Sequence, residues 1–191
     1  MSIDRKQNIV DAAARSFSMF GYKATTMDQV AKIASVAKGT IYTFFKNKEE
    51  LFDEIIGHLI GEMKLVANHA IERNSTFAEN LHQALFGMLE FRKKHQLALQ
   101  LSREVKEIGT PEAVQAIKKL EDAVFSFVKS QVKAAIVKGE IKRCDPFITA
   151  YVLVKMYIAL VLDWEKENEP LNKEKIGELF QLYLLEGLAV R

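Results

Sequence analysis

Residues 26–45 read TMDQVAKIASVAKGTIYTFF, and their spacing decides the fold. Thr26, with Gln29 three residues on, is a capping box that opens a helix carried by Val30, Ile33 and Ala34. Ser35-Val36-Ala37 is a three-residue turn, and a further helix is predicted from Lys38 to about Phe45. On that helix Ile41 and Phe45 are four apart and face a core, which leaves Lys38, Gly39, Tyr42 and Thr43 outward. Two short helices so joined make a helix-turn-helix, whose second helix can enter a DNA major groove. The outward residue types suit that partner. Tyr42 can donate its hydroxyl to a phosphate oxygen, and Lys38, Lys46 and Lys48 supply attraction independent of sequence. Thr40, Thr43 and Phe44 offer hydroxyl or apolar contacts to base edges, thymine in particular. Thr26 and Met27 stand at a helix start, where backbone N–H groups can hold a phosphate. Gly39 costs about 1 kcal/mol in a helix relative to Ala, a cost easier to understand if backbone must approach something bulky.

Outward from this segment the same helical punctuation continues. A first helix is predicted from Asp4 to Phe20, with Ile9, Ala13, Phe17 and Phe20 inward and Gly21 as its stop. Asn47 with Glu50 caps a long fourth helix, and Thr76 with Glu79 caps a fifth. A shorter helix spans about Gln96 to Ile108. Thr110-Pro111 and Asp145-Pro146 each pair a cap with proline at the first helical position, and Asn172 opens the last helix, through Leu188. No sustained alternating run appears, so the chain is read as all-α, with about nine helices. A three-helix amino-terminal domain, residues 1–48, is expected to join a helical ligand-binding and dimerisation domain, residues 49–191, through continuous helix near Asn47.

Charge divides the chain at the same place. Residues 1–48 hold eight Lys or Arg against three Asp or Glu, whereas the other 143 residues hold 19 against 22. That asymmetry points the short segment toward a polyanion. Across all 191 residues 49% are hydrophobic and one is cysteine, Cys144, so disorder and a disulfide framework are excluded. The charged start MSIDRKQNIVDAAARS lacks the apolar run of a signal peptide. The apolar stretch from Ala150 to Trp164 is 15 residues long and contains Lys155 and Asp163, which reads as too short and too charged to span a bilayer. A soluble, cytoplasmic protein with no membrane partner is expected.

The run IVDAAARSFSMFGYKATTMDQVAKIASVAKGTIYTFFKNKEELFDEI, residues 9–55, resembles the DNA-binding domain of the tetracycline-repressor (TetR) family of transcriptional regulators. The resemblance implies that the third helix is the recognition helix and that Thr26, Lys38, Gly39, Tyr42, Thr43 and Lys48 face DNA, with Phe45 in the core. It also implies a carboxy-terminal helical domain that dimerises through its last two helices, and a small ligand whose binding lowers affinity for a palindromic DNA operator. Three positions depart from the family pattern: Ser35 stands where glycine is common, Ala37 where a Ser cap is common, and Phe44 where His is common. The first predicts a strained or differently shaped turn, and the second a recognition helix without a side-chain cap.

Beyond residue 55 the reading rests on physics. The stretch YVLVKMYIALVLDW, residues 151–164, is apolar on nearly every face and should be buried between its own core and a second subunit, with two-fold symmetry. Leu160, Leu179, Tyr183 and Leu184 are the candidate interface residues. Arg103 or Lys155 is the candidate anchor for an anionic head group of the effector, with Phe86, Met88, Phe91, Phe125, Phe127, Met156, Tyr157 and Trp164 as candidate apolar walls. The alternative for these aromatic and Met residues is plain core packing. Glu79-x-x-His82 has the spacing of a helical di-iron ligand pair, but no second pair accompanies it. His58, His69 and His95 are scattered, and no nucleophile elbow, phosphate loop or dinucleotide fingerprint is present. Neither an enzyme nor a metal or other cofactor is expected. A helical apolar-ligand carrier or interaction module without specific DNA binding is the alternative function.

Overall fold

A computed structural model describes residues 2–72 and 75–186, the side chains of residues 2–4, 184 and 185 excepted. Nine α-helices order its described residues: α1 (Ser2–Ala24), α2 (Met27–Ala34), α3 (Lys38–Tyr42), α4 (Lys48–His69), α5 (Phe77–Lys94), α6 (Gln96–Glu107), α7 (Pro111–Lys138), α8 (Pro146–Ile158) and α9 (Lys173–Phe180). Four of the predicted caps outside the helix-turn-helix are formed, while the Thr110 hydroxyl, expected to cap α7, donates to the Glu104 carboxylate. Asn47 Oδ1 accepts from Glu50 N–H at 2.8 Å, Thr76 Oγ1 from Glu79 N–H at 3.3 Å, and Asp145 Oδ1 from Phe147 and Ile148 N–H at 2.7 and 3.0 Å. Asn172 Oδ1 accepts from Lys175 N–H at 2.8 Å.

The regular geometry of α1 ends at Gly21 as expected, with φ 78° and ψ 179°, and a further helical turn runs on to Ala24. Phe20, expected inward, is instead 44% exposed beside that break. The α3 helix closes at Tyr42, and its last turn reaches Phe45 only through a hydrogen bond from Phe45 N–H to the Ile41 carbonyl at 3.0 Å. The expected end of the last helix, near Leu188, lies outside the described residues.

The chain packs as two compact units, residues 1–62 with 92–121 and residues 63–91 with 122–191. In the first unit Ile9, Ala13, Phe17, Val30, Ile41, Phe45, Leu51 and Ile55 form a core, and α6 adds Leu97, Ala98 and Leu101. An aromatic cluster of Phe17, Tyr22 and Phe52, with ring centroids 4.8–6.0 Å apart, sits within it.

In the second unit Leu81, Leu85 and Met88 of α5, Val128 and Val132 of α7, and Leu153 and Tyr157 of α8 are buried. The ring of Phe180 meets Tyr157 edge-on at 5.3 Å. Past Ile158, α8 continues through a π turn and a 3-10 turn, so that helical chain runs 21 residues from Pro146 to Lys166. It is therefore longer than the apolar run suggested and, by length and composition alone, long enough to cross a membrane. Ala150, Leu153, Val154, Tyr157 and Val161 are nonetheless spent on the unit's own core, while Phe147, Ile148, Tyr151, Val152 and Trp164 are left uncovered.

Candidate nucleic-acid interface and effector cavities

The entry to the helix-turn-helix is built as its sequence requires. Thr26 Oγ1 accepts from Gln29 N–H at 3.2 Å while Gln29 Oε1 accepts from Thr26 N–H at 2.8 Å, closing the capping box. At the turn Ser35 adopts the left-handed conformation, φ 55° and ψ 42°, where a Cβ is unfavourable; that is the cost expected of a serine where glycine is common. Ala37 supplies no side-chain cap to α3.

Ile41 is 0% exposed and Phe45 2%, so the inward face of α3 is as the four-residue spacing implies. Lys38, Gly39, Tyr42 and Thr43 are exposed, Tyr42 by 47%, and Thr40 and Phe44 are half-buried. A Cβ built on Gly39 would meet nothing within 4 Å. No described neighbour within this chain therefore requires glycine there.

Three of the expected contacts are occupied otherwise. Met27 is 8% exposed and belongs to the core. Lys48 turns inward: its Nζ donates to the Tyr22 and Thr25 carbonyls at 2.9 and 3.1 Å and lies 4.0 Å from the Tyr22 ring centroid. Those carbonyls end α1 and have no helical partners, so an ammonium is drawn to them. Lys38 is exposed but paired with Asp28 at 2.8 Å, and that hydrogen bond, then the charge of Asp28, raises its pKa above the usual lysine value.

The expected effector wall is dispersed. Arg103 is exposed on α6, and Lys155 is exposed on α8 with its Nζ 5.8 Å from the Tyr151 ring centroid. Met88 and Tyr157 are core residues, Phe125 packs against Phe147, and the Trp164 indole N–H donates to the Glu169 carbonyl at 2.9 Å. Phe86 lies beside His82 and under Lys173, while Phe91, Phe127 and Met156 are half-buried.

Two cavities of the second unit are lined by other residues. One, of about 560 Å³, is walled by Phe77, Ile141, Ile148, Val152, Leu153 and Phe180, with Lys142 and Glu140 also on its lining. The other, of about 210 Å³, lies among Ile71, Phe77, Asn80, Leu81, Gln131 and Ala135. Sequence periodicity could not find either, because cavities form where helices diverge.

The Glu79–His82 spacing dissolves in the same way. Glu79 is the capping partner of Thr76, and its carboxylate accepts from Thr76 N–H at 2.8 Å. His82 is buried, with Nδ1 hydrogen-bonded to the Tyr157 hydroxyl. Burial lowers the His82 pKa, aided by Lys173 and opposed by Glu174, and burial raises that of Tyr157. Among the interface candidates Leu160 and Leu179 are half-buried, Tyr183 is 48% exposed, and the side chain of Leu184 lies outside the described residues.

Comparison with known proteins joins this geometry to a family. The model of bacterial regulatory proteins of the tetR family matches residues 9–55, which hold α2, the turn and α3. An uncharacterized HTH-type transcriptional regulator of Bacillus subtilis, YhgD, is 56% identical over 189 residues, covering 99% of each chain. The chain belongs to the TetR family. It is a helix-turn-helix transcriptional regulator rather than an enzyme, and the carrier alternative is set aside. The fatty acid metabolism regulator protein of Bacillus subtilis is 31% identical to this TetR-family chain over 141 residues, 70% of this chain and 69% of that one. The structure of the transcriptional regulator FadR from Bacillus subtilis in complex with stearoyl-CoA shares 25% identity and a TM-score of 0.62, covering 91% of this chain and 96% of that one.

Proposed function

We propose that this regulator is a homodimeric repressor that grips a palindromic operator with one α3 from each subunit and leaves it on binding an acyl-CoA. The observation that carries the DNA half is the exposure pattern of α3: Ile41 and Phe45 inward, Lys38, Gly39, Tyr42 and Thr43 outward, with open space where a Cβ at Gly39 would lie. Tyr42, Lys38 and Lys46 address phosphates, Thr40, Thr43 and Phe44 address base edges, and Thr26 with the Met27 backbone addresses a phosphate at the start of α2. Lys48 keeps the end of α1 in place and contributes its charge. Residues 1–48 carry the DNA contacts and residues 49–191 the effector and dimer functions. Half-sites are expected about 34 Å apart or somewhat more.

The dimer reading is supported by the uncovered apolar side chains of α8 and by Leu182 and Tyr183 beyond α9. Acyl-CoA as the effector class is supported by the likeness to the fatty acid metabolism regulator protein and to the FadR–stearoyl-CoA complex, both of Bacillus subtilis. The 560 Å³ cavity falls in the size range of ligand sites, is mostly apolar, and has Lys142 available for an anionic group. Effector binding favours a dimer whose two α3 helices no longer match the operator spacing.

The test is selection of bound duplexes from a random pool by the purified protein, followed by titration of the winners at two salt concentrations with and without straight-chain acyl-CoAs. An enriched palindrome, affinity falling steeply with salt, and release by one chain-length class are expected. Weak binding without sequence preference would overturn the operator reading. Tight binding indifferent to every acyl-CoA would overturn the effector class alone.

A further inference from the structure

Glu104 is a buried carboxylate with no place in the DNA contacts, and it holds the segment that feeds the helix-turn-helix. It lies on the apolar face of α6, after Leu97, Ala98 and Leu101, and is 4% exposed. Its Oε2 accepts from Tyr22 N–H at 2.6 Å and its Oε1 from Lys23 N–H at 3.0 Å, and the Thr110 hydroxyl donates to Oε1 as well. Among the described residues no cation pairs with it, so these three donors are what offset its burial.

The two main-chain donors are free because Gly21 breaks α1. At φ 78° the backbone turns out of the helix, so Tyr22 and Lys23 no longer direct their N–H groups along it. The glycine is needed twice over: for that φ, and because a Cβ at residue 21 would lie 2.3 Å from Glu104 Oε2.

Residues 22–25 are gripped from a second side. Lys48, in the first turn of α4, takes the carbonyls of Tyr22 and Thr25, and Glu49 Oε1 accepts from the Tyr22 hydroxyl at 2.8 Å. The N–H groups at the end of α1 thus belong to α6 and its carbonyls to α4. The next residue, Thr26, is the cap of α2. A displacement of α6 must therefore either drag Tyr22 and Lys23, and with them the start of α2, or break two hydrogen bonds to a buried charge. The α6 helix is strung between α5 and α7, and most of each of those helices belongs to the second unit.

We propose that Glu104 is the coupling residue of this regulator: its carboxylate transmits the position of α6 to the helix-turn-helix through the Tyr22 and Lys23 N–H groups. The proposal rests on the DNA-binding reading and needs no particular effector. Because coupling is reciprocal, DNA bound to the helix-turn-helix must be felt in α6.

The experiment is amide hydrogen exchange on the full chain, with and without the selected operator duplex, in the parent, Glu104→Gln and Glu104→Asp. In the parent, operator binding is expected to change exchange at residues 22 and 23 and along residues 96–108. Glu104→Gln sets an amide donor against one of the two N–H groups and should lose the change along 96–108 while still binding the duplex. Glu104→Asp keeps the charge, withdraws it by one methylene, and should weaken the change; it serves if the Gln variant fails to fold. A role in stability alone would alter exchange equally with and without DNA. An α6 that does not respond in the parent, or responds undiminished in a variant that binds DNA, overturns the proposal. A parent that binds no duplex is seen in the titration itself and removes the DNA reading and the coupling together.

Discussion

The α3 and α8 helices leave opposite kinds of surface uncovered. The α3 helix is five residues long and buries Ile41, so its exposed remainder is small, polar and positive. The α8 helix buries Ala150, Leu153, Val154 and Tyr157 and still exposes Phe147, Ile148, Tyr151 and Val152. One surface suits a hydrated polyanion, which is met through hydrogen bonds and charge. The other suits a copy of itself, since apolar surface is most simply covered by an identical patch across a two-fold axis. The difference teaches that the unsatisfied face of a helix tells more about its partner than the satisfied one.

The sharpest way to break the contrast is to give α8 the character of α3. Tyr151→Asp adds a carboxylate to an exposed site, so the folded subunit should tolerate it. In a two-fold dimer it is buried twice and unpaired, at a cost of several kcal/mol, or roughly a thousandfold or more in the dimer dissociation constant. Sedimentation should show a monomer with unchanged helical content, and operator affinity should fall with it. A dimer as tight as the parent's would move the interface off α8. Next in size is Tyr42→Ala. It removes one hydrogen bond to a charged phosphate in each half-site, about 1.5–3 kcal/mol apiece, so operator affinity should fall roughly a hundredfold or more while the melting temperature holds. Parental affinity would take Tyr42 off the docking face.

The same contrast explains what was legible in the sequence. Caps, prolines and four-residue spacing are local, and Thr26, Asn47, Asp145 and Asn172 all act where the sequence places them. The helix-turn-helix is made almost wholly of such signals, so its placement and the inward role of Ile41 and Phe45 could be read directly. Lys48 could not, because its partners are the Tyr22 and Thr25 carbonyls, backbone groups that any sequence possesses. Glu104 did carry a signal, a carboxylate three residues after Leu101 on the apolar face of α6. In the second unit the cavity walls come from residues as distant as Phe77, Ile148 and Phe180, and no local pattern joins them.

A smaller effect separates the polar groups of the two regions. His82 is buried against Tyr157 with its pKa lowered by that burial, while it titrates near 6.5 when unfolded. The unfolded chain therefore binds the proton more readily, and stability rises with pH. The contribution is fully present above 6.5 and is lost as pH falls from there toward the folded value. His95, also lowered by burial, adds to the same trend. His82→Gln should flatten the loss of melting temperature on acidification below 6.5, and an unaltered pH profile would show that His82 does not drive it.

The finest test concerns Asp28, an acidic side chain that holds a cation of the docking face. Lys38 is paired with Asp28 at 2.8 Å, both side chains largely exposed. Exposed pairs add little to stability because solvent screens them, so Asp28→Asn should leave the melting temperature within error. Near DNA the sign of its effect is different. In the parent, Lys38 must exchange Asp28 for phosphate, and the remaining carboxylate repels the duplex; in Asp28→Asn neither cost exists. Operator affinity should therefore rise modestly, and salt dependence should steepen as a freed Lys38 displaces counterions. Unchanged affinity and slope would mean that Lys38 keeps Asp28 when DNA is bound, which would make it a brace of α3 against α2 rather than a phosphate contact.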